Sequence, residues 1–260
     1  MGKLDGRVAL VTGAASGLGK ASATLFVAEG ASVVFADLNE EGARAAATEA
    51  TANGGVASGE RLDVTRGAEC ERVVAATLER YGKLDILMTC AGVGDSAPVL
   101  ELDEATFENT IAVNLKGTFL SAKYAFPALS RQGGSIIALG SVAGIIGAPG
   151  FAAYGASKAG VIHLMRIFAA EGAAHNVRAN AICPSWIWTP MVEKAVQRLI
   201  PGAPAEAAQA YLARQSPLGR MGTPGDVARA ALYLASDDAA FMTGQALVLD
   251  GGLTIGPRAV

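Results

Sequence analysis

Cysteine and histidine are scarce in this chain of 260 residues, which contains three Cys and two His. Cys70, Cys90 and Cys183 have no paired spacing, so the sequence predicts neither a disulfide framework nor a zinc site. His163 and His175 stand outside any metal-binding pattern, and we expect both on a helix surface or in packing. The scarcity of metal-binding side chains therefore predicts a functional site without a metal.

Charge is also low. Charged residues make up 17% of the chain, the net charge is −3, and no basic cluster is present. Binding to nucleic acid or to an anionic membrane surface depends on such clusters. We therefore expect neither kind of partner.

A long uninterrupted hydrophobic run is missing, although hydrophobic residues make up 51% of the chain and the mean hydropathy is +0.34. The least charged stretch, residues 133–165, is interrupted by Pro149, Tyr154 and Lys158. It offers no run of the roughly 20 apolar residues that a membrane span requires. The first residues lead directly into a predicted strand without the apolar region of a signal peptide, so we expect a cytoplasmic protein.

Short β-branched or Leu-rich runs alternate with longer Ala-rich amphipathic stretches. This alternation is typical of repeated βαβ units and predicts an α/β fold with a mostly parallel sheet flanked by helices. No linker divides the chain, so we expect a single domain over residues 1–260. The seven predicted strands cover residues 8–11, 32–36, 59–62, 84–88, 135–139, 178–182 and 246–249.

The longest predicted helices cover residues 40–53, 65–81, 106–129 and 153–174, and a further helix starts at Thr223. Residues 185–220 contain two Trp and four Pro and predict no strand. A connection of this length inside a compact domain is usually functional. We interpret it as a lid over the substrate.

A glycine-rich turn follows the first predicted strand and opens a helix. Its glycines allow backbone N–H groups at a helix start to approach a pyrophosphate. Asp37 ends the second strand, where an acid can accept the ribose hydroxyls of NAD. The spacing differs from the G-x-G-x-x-G fingerprint of dinucleotide sites. The turn residues expected to bind the cofactor are Gly13, Ser16, Gly17, Leu18 and Gly19.

Asp37 also favours NAD over NADP, because a carboxylate at this point repels the 2′-phosphate of NADP. Ser16 and Leu38 stand where a compensating basic residue would be needed. The alternative for Asp37 is an ordinary helix cap.

Tyr154 precedes Lys158 by four residues, which places both side chains on one face of a helix. An ammonium beneath a phenol lowers the pKa of the phenol, so we expect Tyr154 to exchange protons near neutral pH. Ser141 follows an apolar strand and can donate a hydrogen bond to a developing oxyanion. The alternatives are a surface pair on an amphipathic helix and a turn serine.

These motifs resemble those of the short-chain dehydrogenase/reductase family over nearly the whole chain. Residues 12–19 match the family pattern T-G-x-x-x-G-x-G, and Asn114, Ser141, Tyr154 and Lys158 match its active-site tetrad. The resemblance implies a doubly wound, Rossmann-like sheet and a homotetramer. It also implies that Asp63 and Val64 lie beside the adenine, and that Asn114 holds a water linked to Lys158.

Two segments depart from the family pattern. The family's usual Asn-Asn-Ala-Gly is replaced by Thr89 followed by Cys90, Ala91 and Gly92, which still pack under the cofactor by resemblance. The family's Pro-Gly is replaced by Pro184-Ser185. The resemblance places Pro184, Ile187 and Thr189 at the nicotinamide.

The predicted substrate loops are mostly apolar, which suits a hydrophobic secondary alcohol or ketone such as an alicyclic, terpenoid or steroid-like compound. The expected substrate contacts are Ser141, Phe151, Tyr154, Trp186, Trp188 and Met191; the alternative, above all for the two Trp, is that they pack the lid onto the core. One alternative is a 3-oxoacyl-carrier-protein reductase, which usually takes NADP and needs a basic surface. Another is a catalytically silent dinucleotide sensor, which would be expected to have lost part of the tetrad.

Overall fold

The computed structural model describes residues 2–52, 54–199, 202 and 204–256. Seven strands in these ranges form one sheet in the order β3-β2-β1-β4-β5-β6-β7, and every pairing between them is parallel. The predicted seven-stranded α/β architecture is therefore confirmed. The strands are β1 (Val8–Thr12), β2 (Ser32–Asp37), β3 (Val56–Arg61), β4 (Ile86–Thr89), β5 (Gly134–Leu139), β6 (Val177–Pro184) and β7 (Ala246–Leu249).

Helices connect the strands and cover both faces of the sheet. They are α1 (Gly17–Ala28), α2 (Glu40–Ala50), α3 (Gly67–Tyr81), α4 (Glu104–Thr110), α5 (Gly117–Leu129), α6 (Ala152–Gly172), α7 (Pro190–Leu199), α8 (Ala205–Arg214) and α9 (Pro224–Ala235). Within the described ranges, no helix has both the length and the apolar character needed to cross a membrane.

Two apolar layers lie on opposite faces of the sheet. Side chains of a strand alternate between faces, so Ala9 and Val11 of β1 pack in one layer and Leu10 in the other. The first layer includes Phe26 of α1, and the second includes Met165 of α6. Because both faces are covered, the central strands β1 and β4 are apolar up to the Thr that ends each of them.

The direction of the connections reverses at β1. This strand pairs with β2 on one side and with β4 on the other, so later elements build toward the opposite edge of the sheet. A crevice opens at the carboxyl ends of strands where the order reverses in this way. The loops that follow β1, β2, β4 and β6 meet at this edge.

The predicted helix over residues 106–129 is interrupted. The structure has α4, a π-helical segment at Ile111–Lys116, and then α5. The segment contains Asn114, whose amide bonds the backbone of Val93 in a neighbouring loop. Periodicity in the sequence does not reveal this segment, because its 6 residues are too few for a changed helical period to be recognised.

The predicted lid contains α7 and α8. Val196, Ala208 and Leu212 are buried together, and Trp188 packs against them. The segment predicted without strands therefore has a small apolar core of its own. Residues 200, 201 and 203 of the predicted lid lie outside the described residues.

Candidate active site

Two adjoining cavities lie at the carboxyl ends of the strands. The first has a volume of about 400 Å³ and the second about 320 Å³. Ser141 and Tyr154 line both cavities. We call the first, which Gly13 and Asp37 line, the cofactor cavity, and the second, which Phe151 and Trp186 line, the substrate cavity.

The cofactor cavity gathers residues from distant parts of the chain. All the residues expected from the sequence to bind the cofactor line it, namely Gly13, Ser16, Gly17, Leu18, Gly19, Asp37, Leu38, Asp63, Val64, Cys90, Ala91, Gly92, Tyr154, Lys158, Pro184, Ile187 and Thr189. The sheet brings them together because each follows the carboxyl end of a strand or lies on a helix that faces this edge.

The glycine turn has no room for a side chain at Gly13 or at Gly19. Gly13 has a φ of +68°, and a Cβ there would lie 2.6 Å from the backbone nitrogen of Ala91. A Cβ at Gly19 would lie 2.2 Å from the carbonyl oxygen of Gly13. The turn therefore holds the start of α1 close to β4, and the unpaired N–H groups of the first helical turn lie at the cavity. Such a helix start favours a phosphate group.

Asp37 stabilises the turn as well as lining the cavity. One carboxylate oxygen accepts a hydrogen bond from the backbone N–H of Ala15 at 3.0 Å, and the other accepts from that of Asn39 at 2.9 Å. Asn39, not Asp37, caps α2, since its side chain accepts from the N–H of Gly42. The ordinary helix-cap alternative for Asp37 is thus not what the structure shows.

The segment after β4 is hydrogen-bonded to Thr12, the last residue of β1. The Thr12 hydroxyl accepts from the backbone N–H groups of Cys90 and Ala91, each at 3.2 Å. Burial raises the pKa of the Cys90 thiol to about 12, so this thiol is protonated at neutral pH. Thr89, by contrast, is buried with a hydroxyl that has no hydrogen-bond partner among the described residues.

Tyr154 and Lys158 lie near the start of α6 and face the same cavity. The Lys158 ammonium lies over the Tyr154 ring, 5.5 Å from its centroid, and donates to the carbonyl oxygen of Leu139 at 2.7 Å. Ser157, between them, donates to the carbonyl oxygen of Tyr154. The predicted one-face arrangement of Tyr154 and Lys158 is present.

The pKa of Tyr154 differs from the sequence-based expectation. Burial raises the pKa of the phenol, and the hydrogen bond with Ser141 opposes this shift. The same burial lowers the pKa of Lys158 to about 8. The prediction of a lowered tyrosine pKa is therefore corrected, because removal from water disfavours the charged form of both groups.

Asn114 is hydrogen-bonded to Ser157, which stands between Tyr154 and Lys158 in the sequence. Its side chain accepts from the N–H of Val93 and donates to the carbonyl oxygen of Val93 and to the hydroxyl of Ser157. The backbone carbonyl oxygen of Asn114 accepts a hydrogen bond from the Thr118 hydroxyl at 2.8 Å. In the structure Asn114 therefore connects the loop after β4 to α6, a role that its sequence position did not reveal.

The substrate cavity is mainly apolar. Phe151 makes edge contacts with the rings of both Tyr154 and Trp186, at centroid distances of 6.1 and 6.2 Å. Met191 and the loop after Ser141 complete this wall. The structure thus brings together five of the six expected substrate contacts: Ser141, Phe151, Tyr154, Trp186 and Met191.

Trp188 is the sixth expected contact, and it does not line either cavity. Its side chain packs against the core of the lid, because that core would otherwise expose apolar surface. Sequence reasoning also missed Gln215 and Leu253, which line the substrate cavity from α8 and from the segment after β7. Gln215 lies in the predicted lid but in no motif, and Leu253 lies in neither, so no signal in the sequence singles them out.

A nicotinamide dinucleotide suits the cofactor cavity. The closed glycine turn leaves backbone N–H groups for the diphosphate, and Asp37 can accept ribose hydroxyls at one end. Tyr154 and Lys158 lie where the cofactor and substrate cavities join.

Comparisons with known proteins agree with this geometry. A family model described as Enoyl-(Acyl carrier protein) reductase matches residues 13–254. The 3-oxoacyl-[acyl-carrier-protein] reductase FabG of Thermotoga maritima is 41% identical to this chain, over 97% of this chain and 100% of its own length.

Solved structures extend the likeness. A short-chain type dehydrogenase/reductase from Mycobacterium ulcerans has a TM-score of 0.89 and 36% identity, over 98% of this chain and 92% of its own. Levodione reductase has a TM-score of 0.92 and 34% identity, over 97% and 99%. The chain therefore belongs to the short-chain dehydrogenase/reductase family, whose members are oxidoreductases that act on CH–OH groups with a nicotinamide cofactor.

Proposed function

We propose that this protein interconverts a hydrophobic secondary alcohol and its ketone with NAD. The observation that carries the proposal is the position of Ser141 and Tyr154, which form the shared wall of the cofactor cavity and an apolar cavity. A substrate in the second cavity can bring its oxygen to both hydroxyls while its carbon faces the first.

The nicotinamide supplies hydride chemistry when bound, and the protein supplies orientation and proton transfer. In ketone reduction the Tyr154 phenol donates its proton to the substrate oxygen, and in alcohol oxidation the phenolate takes a proton from it. Ser141 donates a hydrogen bond to the same oxygen as negative charge develops. The Lys158 charge favours the phenolate that remains after reduction.

The preference for NAD over NADP depends on Asp37. Its carboxylate lines the cavity, and the neighbouring Ser16 and Leu38 offer no positive charge to a 2′-phosphate. Isothermal titration with both cofactors tests the proposal. We expect tighter binding of NAD, and tighter binding of NADP would overturn it.

The substrate class follows from the lining of the substrate cavity, which has no Lys, Arg, Asp or Glu among its described residues. A neutral, mainly hydrophobic substrate therefore suits it better than a phosphorylated sugar or a small acid. An alicyclic, terpenoid or steroid-like ketone meets these conditions. The name of levodione reductase, a relative of known structure, indicates that the substrate of that enzyme is a dione.

A second candidate is 3-oxoacyl-carrier-protein reduction, which the 41% identity to FabG favours. Against it stand the acidic residue at position 37 and the absence of a basic cluster in the sequence. Parallel assays with an acetoacetyl carrier protein and with alicyclic ketones distinguish the two candidates. Faster turnover of the carrier-protein substrate would favour the second.

The direct test of the mechanism is Tyr154→Phe. This change removes the transferable proton and keeps the ring, so we expect turnover to fall by about 10³-fold or more while NAD binding stays close to normal. Retained turnover would exclude proton transfer by Tyr154. Titration of the variant with NAD serves as the control for folding.

We also propose a homotetramer in the cytoplasm. Phe107 of α4, Phe119 of α5 and Ile167 of α6 are about two-fifths exposed, and Phe241 before β7 is fully exposed. β7 is an edge strand, and Val248 on it is also exposed. Exposed apolar side chains at two separate places support two interfaces. Light scattering should give a molecular mass four times the 26.3 kDa of one chain. Cell fractionation tests the cytoplasmic location.

Residues 185–220 are proposed to act as a substrate lid, and residues 1–260 are proposed to form a single domain. Trp186, Met191 and Gln215 line the substrate cavity, while Val196, Ala208 and Leu212 form a small apolar core within the segment. Hydrogen exchange should show slower exchange in this segment with cofactor and ketone than with cofactor alone. An unchanged rate would contradict a lid.

A further inference from the structure

Gln215 is the unexplained polar residue of the substrate cavity. It is the C-cap residue of α8, and it lines the cavity. A row of ring contacts leads to it from the catalytic hydroxyl: Tyr154 contacts Phe151, and Phe151 contacts Trp186. The Trp186 indole is hydrogen-bonded to Gln215. Two ring contacts and one hydrogen bond therefore connect the Gln215 amide to Tyr154.

The hydrogen bond to Trp186 fixes the orientation of the amide. The indole Nε1–H of Trp186 donates to Oε1 of Gln215 at 2.9 Å. An indole nitrogen can only donate, so the amide oxygen must face it and the amide nitrogen must point elsewhere. Nε2 of Gln215 has no hydrogen-bond acceptor among the described residues, and its two N–H donors remain for a ligand.

The other polar groups of the cavity have different partners or tasks. Ser141 and Tyr154 face the reacting oxygen, and the Ser185 hydroxyl donates to the carbonyl oxygen of Asp250 at 3.2 Å. The rest of the described lining is apolar, including Val142, Ile146 and Leu253. A few polar groups in an apolar cavity determine how a ligand is oriented.

We propose that Gln215 is a specificity-determining residue that donates a hydrogen bond from Nε2 to a second oxygen of the substrate. The substrate class is then an alicyclic ketone with a second neutral acceptor oxygen at the end of the molecule remote from the reacting carbonyl, such as a diketone or a hydroxyketone. This inference rests on the proposed alcohol–ketone activity and makes its substrate class narrower. A carboxylate or phosphate at that end does not fit, because no cation lines the described part of the cavity.

The expected preference is modest. Gln215 is exposed to solvent, so the substrate oxygen replaces water as the partner of Nε2. A neutral hydrogen bond of this kind changes kcat/KM about five- to tenfold. The effect should fall mainly on KM, since the second oxygen binds equally in the ground state and the transition state.

The test uses two matched pairs of ketones: cyclohexane-1,4-dione with cyclohexanone, and decalin-2,6-dione with decalin-2-one. Reduction by the full protein with NADH is measured for each, with the dione value halved where its two carbonyls are equivalent. The variant is Gln215→Glu, whose carboxylate can still accept from Trp186 Nε1 but cannot donate. The ratio of dione to monoketone kcat/KM is compared between the two proteins, which removes intrinsic differences in ketone reactivity.

We expect this ratio to fall about five- to tenfold in Gln215→Glu for at least one pair, through a higher KM for the dione. An equal ratio in both proteins for both pairs overturns the role of Gln215. If the unaltered protein reduces no ketone at all, the proposed function fails, and the inference fails with it. Tryptophan fluorescence of the variant shows whether Trp186 keeps its place. Gln215→Leu, which lacks both groups, must show the same loss of dione preference.

Discussion

The Tyr154 phenol keeps its proton at neutral pH because burial raises its pKa. The neutral phenol is the form that donates in ketone reduction, whereas alcohol oxidation requires the phenolate. Lys158, with a pKa of about 8, still carries charge at neutral pH and loses it as the pH rises further. The protonation states of the site therefore favour reduction at neutral pH.

This leads to opposite pH dependences for the two directions. The kcat/KM for alcohol oxidation should increase with pH from about 7 to 9, because the phenolate fraction increases. The kcat/KM for ketone reduction should stay level near neutral pH and decrease at the alkaline end, where the proton donor is lost. Initial rates in both directions with one alcohol–ketone pair test this. Oxidation that slows as the pH rises over this range would contradict it.

Thr89 and Thr12 give a matched pair for stability. Both are buried, but Thr12 accepts two backbone hydrogen bonds, whereas the Thr89 hydroxyl has no partner among the described residues. An unpaired buried hydroxyl costs about 1–3 kcal/mol. We expect Thr89→Val to raise the free energy of unfolding by about 1 kcal/mol.

Thr12→Val is the control, and it should lower the free energy of unfolding by about 1–3 kcal/mol, because the N–H of Ala91 loses its acceptor and that of Cys90 keeps only the backbone carbonyl of Thr12. Urea unfolding of both variants provides the measurement. Equal destabilisation by the two changes would show that the Thr89 hydroxyl is satisfied in solution.

The helix that starts at Thr223 was predicted from its Thr-Pro-Gly-Asp sequence, and α9 begins there with a reciprocal cap. The Thr223 hydroxyl accepts from the N–H of Asp226, and the Asp226 carboxylate accepts from the N–H of Thr223. Local hydrogen bonds are encoded by neighbouring residues, so this start could be predicted. The π-helical segment at Ile111–Lys116 could not, because the contact of Asn114 with Val93 joins distant parts of the chain.

The cap of α9 also predicts an acid-sensitive contribution to stability. The Arg220 guanidinium and the Thr223 backbone N–H hold the pKa of the Asp226 carboxyl well below its usual range. A lowered folded-state pKa means that the stabilisation is complete above the unfolded-state pKa of about 3.9 and is lost as the pH falls toward the folded-state pKa. Asp226→Ala should therefore lower the free energy of unfolding by about 1 kcal/mol at pH 7.

The difference between Asp226→Ala and the unaltered protein should be constant from about pH 5 to 8 and shrink below about pH 4. Thermal or urea unfolding over this pH range measures it. Asp237→Ala is a suitable control, since Asp237 pairs with Arg7 but is largely exposed. A difference for Asp226→Ala that grows on acidification would contradict the role of the carboxylate.

Because the sheet is parallel, the sequence alone could predict that motifs far apart in the chain lie close together. Residues that follow the carboxyl ends of β1, β2, β4 and β6 must meet at one edge, so the cofactor cavity followed from the order of strands and motifs. The substrate cavity depends instead on how α8 and the segment after β7 return over that edge. Gln215 and Leu253 enter it in this way, and Trp188 turns away from it, which no local pattern encodes.

A cofactor that bridges these separate segments should stabilise the whole chain. Ligand present at 100 times its Kd raises the free energy of unfolding by about 2.7 kcal/mol. We expect NAD to raise the Tm of this protein, and NADP at the same concentration to raise it less, because the Asp37 carboxylate repels the 2′-phosphate. Asp37→Asn keeps an oxygen that can accept from the N–H of Ala15 or Asn39, and it removes the charge. The gap in Tm between NAD and NADP should therefore narrow in this variant, as measured by differential scanning fluorimetry. A gap that stays unchanged would show that cofactor choice is determined by the shape of the cavity and not by the charge at position 37.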